Sequence, residues 1–116
     1  MKLNLTFNKT EVELTGPGGP VNYELREMTA AARDAYLDAV NDRLKVDANG
    51  KPIGIKKWDG MHAELLTKTL FQVAGGKAVT REIVQEWPAA TVTELYNEAQ
   101  RINGLHTKAA DEEPKK

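Results

Sequence analysis

Residues 79–105 read VTREIVQEWPAATVTELYNEAQRINGL, and this stretch predicts two helices joined by a tight corner. Thr80 is a good N-cap for the first helix, and Glu82 stands near the positive end of its dipole. Ile83, Val84 and Trp87 would form its apolar stripe. Because proline disfavours helical geometry in the residue before it, Pro88 is expected to end this helix near Trp87.

The second helix of the stretch is predicted to begin at Thr91, where Thr91 and Glu94 match a capping box. Gly104 stands where a glycine commonly closes a helix. Neither helix presents a pattern of residues that catalysis requires, so the stretch is predicted to pack against other parts of the fold. Its apolar residues recur at steps of three and four: Val92, Leu95, Tyr96, Ala99 and Ile102.

The first 25 residues alternate apolar and polar side chains, which is typical of strands. Asn8-Lys9 is a candidate turn, and residues 16–20 (GPGGP) form a connection that cannot belong to a regular element. A phosphate-binding loop is disfavoured there because no Gly-Lys-Ser/Thr follows the glycines. The residues on the predicted inner face are Leu3, Leu5, Phe7, Val12, Leu14, Val21, Tyr23 and Leu25.

Two further helices are predicted between this region and the opening stretch. Thr29 would cap a helix from Ala30 to about Leu44, and its stripe would contain Ala32, Ala35, Tyr36, Ala39, Val40 and Leu44. Asp59 would cap a helix over residues 60–73, and its buried side would contain Met61, Leu65, Leu66, Leu70 and Val73. Gly75-Gly76 would stop this helix.

Residues 47–50 (DANG) predict a hairpin turn between short strands at residues 45–46 and 53–55. A calcium loop is disfavoured because its twelfth position, counted from Asp47, is Trp58 rather than glutamate. The fold class expected from these elements is α+β: a small N-terminal antiparallel β meander or hairpin followed by about four packed α-helices. Residues 1–106 would form one domain, and residues 107–116, which lack large apolar side chains, a disordered tail.

Composition excludes several classes of function. The chain has 116 residues, no cysteine and a formal net charge of −1. It can therefore form neither disulfides nor cysteine-ligated zinc, and its charge does not favour nucleic acid or anionic lipid. His62 and His106 have no carboxylates at ligand spacing, so no metal site is predicted. With no apolar leader or membrane-length run, we expect a soluble intracellular protein without catalytic residues or cofactors.

The order of several short motifs resembles that of the tail assembly chaperones of long-tailed, siphovirus-type bacteriophages and prophages. A glycine-rich break is followed by V-T-x-E at Val79–Glu82, the Trp87-Pro88 corner, and a helix that ends in I-N-G-L at Ile102–Leu105. Upstream, the resemblance includes YELREMT at residues 23–29, RDAYL at 33–37 and DGMHAELL at 59–66. It covers most of the chain between about residues 11 and 105.

The resemblance implies a non-catalytic protein that binds the tape measure protein and keeps it soluble during tail assembly. It implies a place in the host cytoplasm rather than in the mature virion. In many phages of this kind a frameshift yields a longer form that recruits tail tube protein, and this chain would be the shorter, unextended product. Homo-oligomerisation is left open. The alternative is a small structural tail or neck protein that stays in the virion.

Two helices joined by a corner also suggest a helix-turn-helix DNA-binding protein. Residues 79–105 carry two arginines against four glutamates, however, and phosphates would repel such a surface. Lys51, Lys56 and Lys57 form a small basic cluster beside Trp58, a combination that also occurs in single-stranded nucleic-acid sites. Three lysines on a predicted surface loop are more often a solvated edge, and that interpretation is favoured here. No nucleic-acid or membrane partner is therefore expected.

Trp58 and Trp87 are the candidate partner-binding residues. Each lies at the edge of a predicted element, beside a turn or a corner, where aromatic side chains are frequent anchors of interfaces. Trp87 also belongs to a helical stripe, which favours a role in the core. Trp58 belongs to no predicted apolar stripe, so it is the better candidate for a partner or self-association contact.

Overall fold

The structure is a computed structural model that describes residues 1–105. It is an α+β fold in which N-terminal antiparallel strands precede four α-helices, as predicted. The proposed tail at residues 107–116 lies outside the described residues. The strands are β1 (Lys9–Gly16), β2 (Gly19–Arg26), β3 (Leu44–Val46), β4 (Pro52–Ile55) and β5 (Leu70–Gln72). The α-helices are α1 (Ala30–Asn41), α2 (Met61–Thr69), α3 (Arg81–Gln85) and α4 (Ala89–Ile102), with a 3₁₀ turn at Ala74–Gly76.

Strands β1 and β2 form a long hairpin that includes part of the predicted loop. Their register runs from Lys9 opposite Arg26 to Gly16 opposite Gly19, so only Pro17 and Gly18 remain as the turn. Gly19 has a positive φ of 98°, a conformation that glycine adopts without steric cost. The predicted alternation is confirmed for Val12, Leu14, Tyr23 and Leu25, which lie in or against the core, but Val21, near the hairpin turn, is exposed instead.

The strand expected at residues 3–7 is absent, and the Asn8-Lys9 turn is also wrong. Lys9 opens β1, and the Asn8 carbonyl accepts a 2.8 Å hydrogen bond from the Glu27 amide, the last backbone contact of the hairpin. Beyond it β2 has ended, so the earlier residues have no strand of their own chain to pair with. Leu3, Leu5 and Phe7 are 85%, 100% and 53% exposed, instead of lying in the core.

The third strand of the main sheet, β5, replaces the end of a predicted helix. The sheet order is β1-β2-β5, and β5 is antiparallel to β2, with Leu70 opposite Leu25. The helix predicted over residues 60–73 stops at Thr69, because Leu70 already has extended geometry (φ −99°, ψ 122°). Leu70 is buried as predicted, since its position suits either a helix or a strand, but Val73 is exposed.

Helix α1 is shorter than predicted and leads into a separate two-stranded sheet. The Thr29 hydroxyl accepts from the Ala32 amide at 3.1 Å, which confirms the cap, but the helix ends at Asn41 and Leu44 begins β3. Tyr36 is buried, whereas Ala35 is exposed. The predicted hairpin of β3 and β4 is confirmed. Its exposed tip is ordered by the Asp47 carboxylate, which accepts from two backbone amides at 2.9 Å.

Helix beginnings differ from the sequence-based expectation in two places. Gly60, not Asp59, is the N-cap of α2, with a φ of 77° and no capping side chain. Helix α4 begins at Ala89 rather than Thr91, because the Pro88 carbonyl already accepts from the Val92 amide at 3.1 Å. Thr80 does cap α3, and its hydroxyl accepts from the Ile83 amide at 3.3 Å. The Ile83 side chain is exposed instead of buried.

Helix α2 lies at the centre of the molecule, where it contacts α1, α3, α4 and β2. Burial of its apolar side chains against the sheet and the other helices is the main driving force for this arrangement. No helix among residues 1–105 is long and apolar enough to cross a membrane. The fully buried apolar side chains include Leu25, Leu65, Leu66, Leu70 and Val84, while α4 adds Val92, Leu95, Ala99 and Ile102.

The I-N-G-L motif closes α4 and joins it to α1 and to the chain that follows β2. Gly104 has a φ of 63°, its amide donates to Arg101, and the Leu105 amide donates to Gln100, the paired bonds of a Schellman motif. The buried side chain of Asn103 accepts from the Met28 amide at 2.7 Å and donates to the Ala99 carbonyl at 2.8 Å. The motif therefore has a structural role: it ends α4 and connects this end to the chain that leads into α1.

Candidate protein-binding site

Trp58 projects from a connection between β4 and α2 whose backbone is held in place. Trp58 is 63% exposed, so its side chain is largely accessible to solvent. The buried guanidinium of Arg43 donates to the carbonyl of Lys57 at 3.3 Å and to that of Asp59 at 2.6 Å. These two carbonyls flank Trp58 in sequence. An exposed aromatic residue is thus mounted on a fixed piece of chain.

A second set of contacts attaches this connection to α3. The Asp59 carboxylate accepts from the Arg81 guanidinium at 3.2 Å and from the Gln85 amide at 3.4 Å. Gly60 then reverses the chain with a positive φ, and a Cβ at this position would lie 2.7 Å from the Arg81 guanidinium. Asp59, predicted as a helix cap, therefore acts as a link between elements.

Trp58 and Trp87, the two residues predicted to bind a partner, line one surface groove. The groove has a volume of about 280 Å³ and lies between the start of α2, α3 and the start of α4. Two aromatic side chains together with several apolar ones in the lining suit the binding of an apolar side chain from another protein. The apolar lining residues include Met61, Ala63, Val84 and Val92, together with Trp58 and Trp87.

Trp87 has a structural role as well as a place in the groove. It is half-buried against the core, and its ring meets that of Tyr23 edge-on, with 5.8 Å between the ring centroids. This contact joins the α3–α4 corner to the main sheet. The structure thus gives Trp87 the packing role that its helical stripe suggested, whereas Trp58 makes no comparable aromatic contact among residues 1–105.

A larger and more acidic groove lies on the other side of Trp87. Its volume is about 720 Å³, between the tip of the β1–β2 hairpin and the α3–α4 corner. Leu14, Tyr23 and Trp87 give it apolar walls. The charged side chains along it are all acidic: Glu13, Glu86 and Glu94.

The interior polar groups make structural contacts that the sequence pattern did not reveal. The hydroxyls of Tyr36 and Tyr96 lie 3.4 Å apart, and His62 packs edge-on against Tyr96 at 4.4 Å between ring centroids. Burial, followed by the hydrogen bond to Tyr96, raises the pKa of Tyr36 well above its ordinary value. Within residues 1–105, no group of three or more histidine, aspartate or glutamate side chains is placed to hold a metal ion.

The outer face of α4 is unsuited to contact with a phosphate backbone. Glu94 is exposed, the half-buried Glu98 carboxylate accepts from the Thr10 hydroxyl of β1 at 2.7 Å, and the Arg101 guanidinium is paired with Glu98 at 2.6 Å. A DNA-reading helix would need unpaired basic side chains on this face. Lys51, Lys56 and Lys57 are exposed, as expected of a solvated edge.

The fold of this chain was compared with those of known proteins. No family model matches the chain, and no curated protein matches it significantly. The tail assembly chaperone of bacteriophage HK97 superimposes with a TM-score of 0.49 at 20% sequence identity. The alignment covers 83% of this chain and 85% of that one.

Proposed function

We propose that this protein is a non-catalytic tail assembly chaperone of a long-tailed phage or prophage. It binds the tape measure protein and keeps that long, helical and aggregation-prone chain soluble while the tail is built. The observation that carries the proposal is Trp58, an exposed aromatic side chain that is held on a fixed backbone and lines a surface groove with several apolar residues. The order of motifs along the sequence supports the choice of family.

The geometry suits recognition of an apolar helix face. Large aromatic side chains dominate the energy of many interfaces because they bury much surface with few rotatable bonds. The backbone around Trp58 is already fixed by Arg43 and Asp59, so binding would order little further chain. Leucine or methionine side chains spaced along a partner helix would enter the groove between Trp58 and Trp87.

We also propose where the protein acts and which other proteins it meets. It works in the host cytoplasm and is absent from the finished particle. A longer form made by frameshifting carries the same domain and brings tail tube subunits to the tape measure complex. In the native gene, a slippery run near the codons for residues 114–116 and a longer minor product are expected. A single product from the native operon would exclude the longer form.

Co-expression with the cognate tape measure protein tests the chaperone role. We expect wild-type protein to raise the soluble yield of the tape measure protein, and Trp58→Ala to lower that yield and weaken the complex by about tenfold or more. Val73→Ala is the matched control, because Val73 is also an exposed apolar residue but lines neither groove. Thermal unfolding of each variant alone checks that the fold is intact.

Equal solubility of the tape measure protein with and without this chain would remove the chaperone assignment. Mass spectrometry of purified particles addresses the structural alternative, since a tail or neck protein would be found there in stoichiometric amounts. If Trp58→Ala unfolds the isolated domain, the residue belongs to the core and another surface must bind the partner.

A further inference from the structure

The first eight residues, here called the N-terminal arm (Met1–Asn8), form an exposed segment of alternating apolar and polar residues that is tied to the described fold only at Asn8. Leu3, Leu5 and Phe7 are large, exposed and spaced by two, so an extended chain would place them on one face. Lys2, Asn4 and Thr6 would occupy the other face. No acidic residue occurs before Glu11. Exposed apolar residues in such a regular pattern commonly mark an interaction segment.

The arm cannot pair with its own hairpin. Asn8 and Lys9 already continue in line with β1, where they lie opposite Glu27 and Arg26. Folding back along β1 would require a tight turn at these two residues and would break their contacts with β2. Beyond Glu27, the chain leaves the sheet toward α1, so no strand lies opposite the arm. Within residues 1–105 the arm therefore has no pairing strand, which leaves its backbone available to another molecule.

Strand β1 offers an unpaired edge. In the described part of the chain it pairs with β2 on one side and with no strand on the other. Along an antiparallel pair of strands, opposed residues alternate between pairs that are joined by backbone hydrogen bonds and pairs that are not. Asn8 and Glu27 are a hydrogen-bonded pair. The amides of Thr10, Val12 and Leu14 therefore point toward β2, while those of Glu11 and Glu13 point to the free edge.

The side chains of the arm and of the β1 edge complement each other. The inner face of β1 carries Val12 and Leu14, which pack on the core and would continue as an apolar surface beneath Leu3, Leu5 and Phe7. The exposed face of β1 carries Glu11 and Glu13. An added strand with its apolar residues toward the core would place Lys2 on this acidic face, since successive side chains alternate. Opposite charges on adjacent strands attract each other and would stabilise the pairing.

We propose that the N-terminal arm of one copy of this protein adds as a strand to the free edge of β1 in a second copy. The sheet of the second copy would then have the order arm-β1-β2-β5. Main-chain hydrogen bonds supply the affinity, and the apolar face of the arm sets which side faces the helices. The addition also covers an open sheet edge, which otherwise promotes uncontrolled association. This self-association does not depend on the proposed chaperone function.

Light scattering coupled to size-exclusion chromatography, over a concentration series of the full chain, tests the proposal. We expect the wild type to form species heavier than the 12.8 kDa monomer as concentration rises. An arm variant, L3S/L5S/F7S, should remain monomeric. So should an edge variant, E11P/E13P, because proline removes the two edge amides without affecting donors to β2.

Mixing the two variants gives the decisive measurement. The arm variant retains an intact edge, and the edge variant retains an intact arm, so together they should form a mixed species of twice the monomer mass. The matched control is L37S/V46S/V73S, which removes three exposed apolar residues outside the arm and should associate like the wild type. Circular dichroism confirms that every variant is folded.

Three results would overturn the proposal. A wild type that stays monomeric at several hundred micromolar, wild-type oligomers that persist in the arm variant, or two folded variants that fail to combine would each exclude arm addition. Oligomers that disappear in the control triple variant as well would assign association to exposed apolar surface in general rather than to the arm.

Discussion

Asn103 connects the end of α4 to the start of α1 through hydrogen bonds of its side chain and its backbone. Its side chain satisfies the buried Met28 amide, and its backbone carbonyl accepts from the Arg33 guanidinium at 3.2 Å. One residue at the end of α4 therefore fixes the start of α1. The local sequence does not predict this role, because an asparagine in the motif I-N-G-L is equally typical of a solvent-exposed helix end.

Replacement of Asn103 by alanine should lower the free energy of unfolding by about 1–3 kcal/mol, because the Met28 amide would be buried without an acceptor. Urea unfolding followed by circular dichroism measures the change. Asn97→Ala is the matched control, since Asn97 lies exposed on the same helix and should change stability little. Equal stability of the two variants would show that the Asn103 contacts are dispensable.

Glu98 makes stability depend on acid. Hydrogen bonds from Arg101 and from the Thr10 hydroxyl lower the pKa of Glu98 to about 2, from an ordinary value of 4.5. Because the folded-state pKa is lowered, the stabilisation is complete above about pH 4.5 and is lost as pH falls toward 2. The difference in unfolding free energy between wild type and Glu98→Gln should therefore shrink over this interval, as pH-dependent urea titrations would reveal. A difference independent of pH would contradict the assignment.

At the scale of elements, Arg43 connects the small hairpin to the connection that carries Trp58. Its guanidinium holds two carbonyls of that connection, and its own carbonyl accepts from the Lys56 amide at 2.8 Å. It also lies 3.7 Å from the Glu64 carboxylate of α2. A buried arginine with several acceptors commonly fixes local geometry more than it contributes net stability.

Arg43→Met should therefore loosen residues 56–60, because two carbonyls lose their donor while the side chain keeps much of its volume. Hydrogen–deuterium exchange should show these amides exchanging about tenfold faster or more, and the proposed binding of a tape measure protein should weaken in parallel. Lys45→Met, at an exposed position on β3, is the control. Unchanged exchange at residues 56–60 would mean that other contacts hold the connection.

Element-scale patterns explain how much of the fold the sequence predicts. The helical stripe of α4, the Thr29 and Thr80 caps and the Asn49-Gly50 hairpin were predictable because each depends on neighbouring residues alone. The strand β5 was not, since Leu70 suits both a helix and a strand and only pairing with Leu25 decides between them. The candidate site was half predictable: the tryptophans were identified, but their common groove and Arg43 depend on tertiary contacts.

At the scale of the whole molecule, the arm is separate from the folded body. Deletion of residues 1–7 should change the thermal midpoint of a dilute sample by less than about 2 °C, because these residues bury little surface in the monomer. At high concentration the deletion should lower the midpoint relative to wild type, because self-association stabilises the folded state by mass action. Differential scanning fluorimetry at two concentrations separates these effects, and a large loss at low concentration would mean that the arm packs on its own domain.

The exposed tip of the β3–β4 hairpin offers a site for labelling the protein. Residues 48–50 are exposed and line neither groove, and Asp47 closes the turn through its own side chain. Since the chain has no cysteine, Ala48→Cys would create a unique thiol for a fluorophore. A dye at this tip would leave the Trp58 groove open, so binding and release of the proposed tape measure partner could be followed on single molecules.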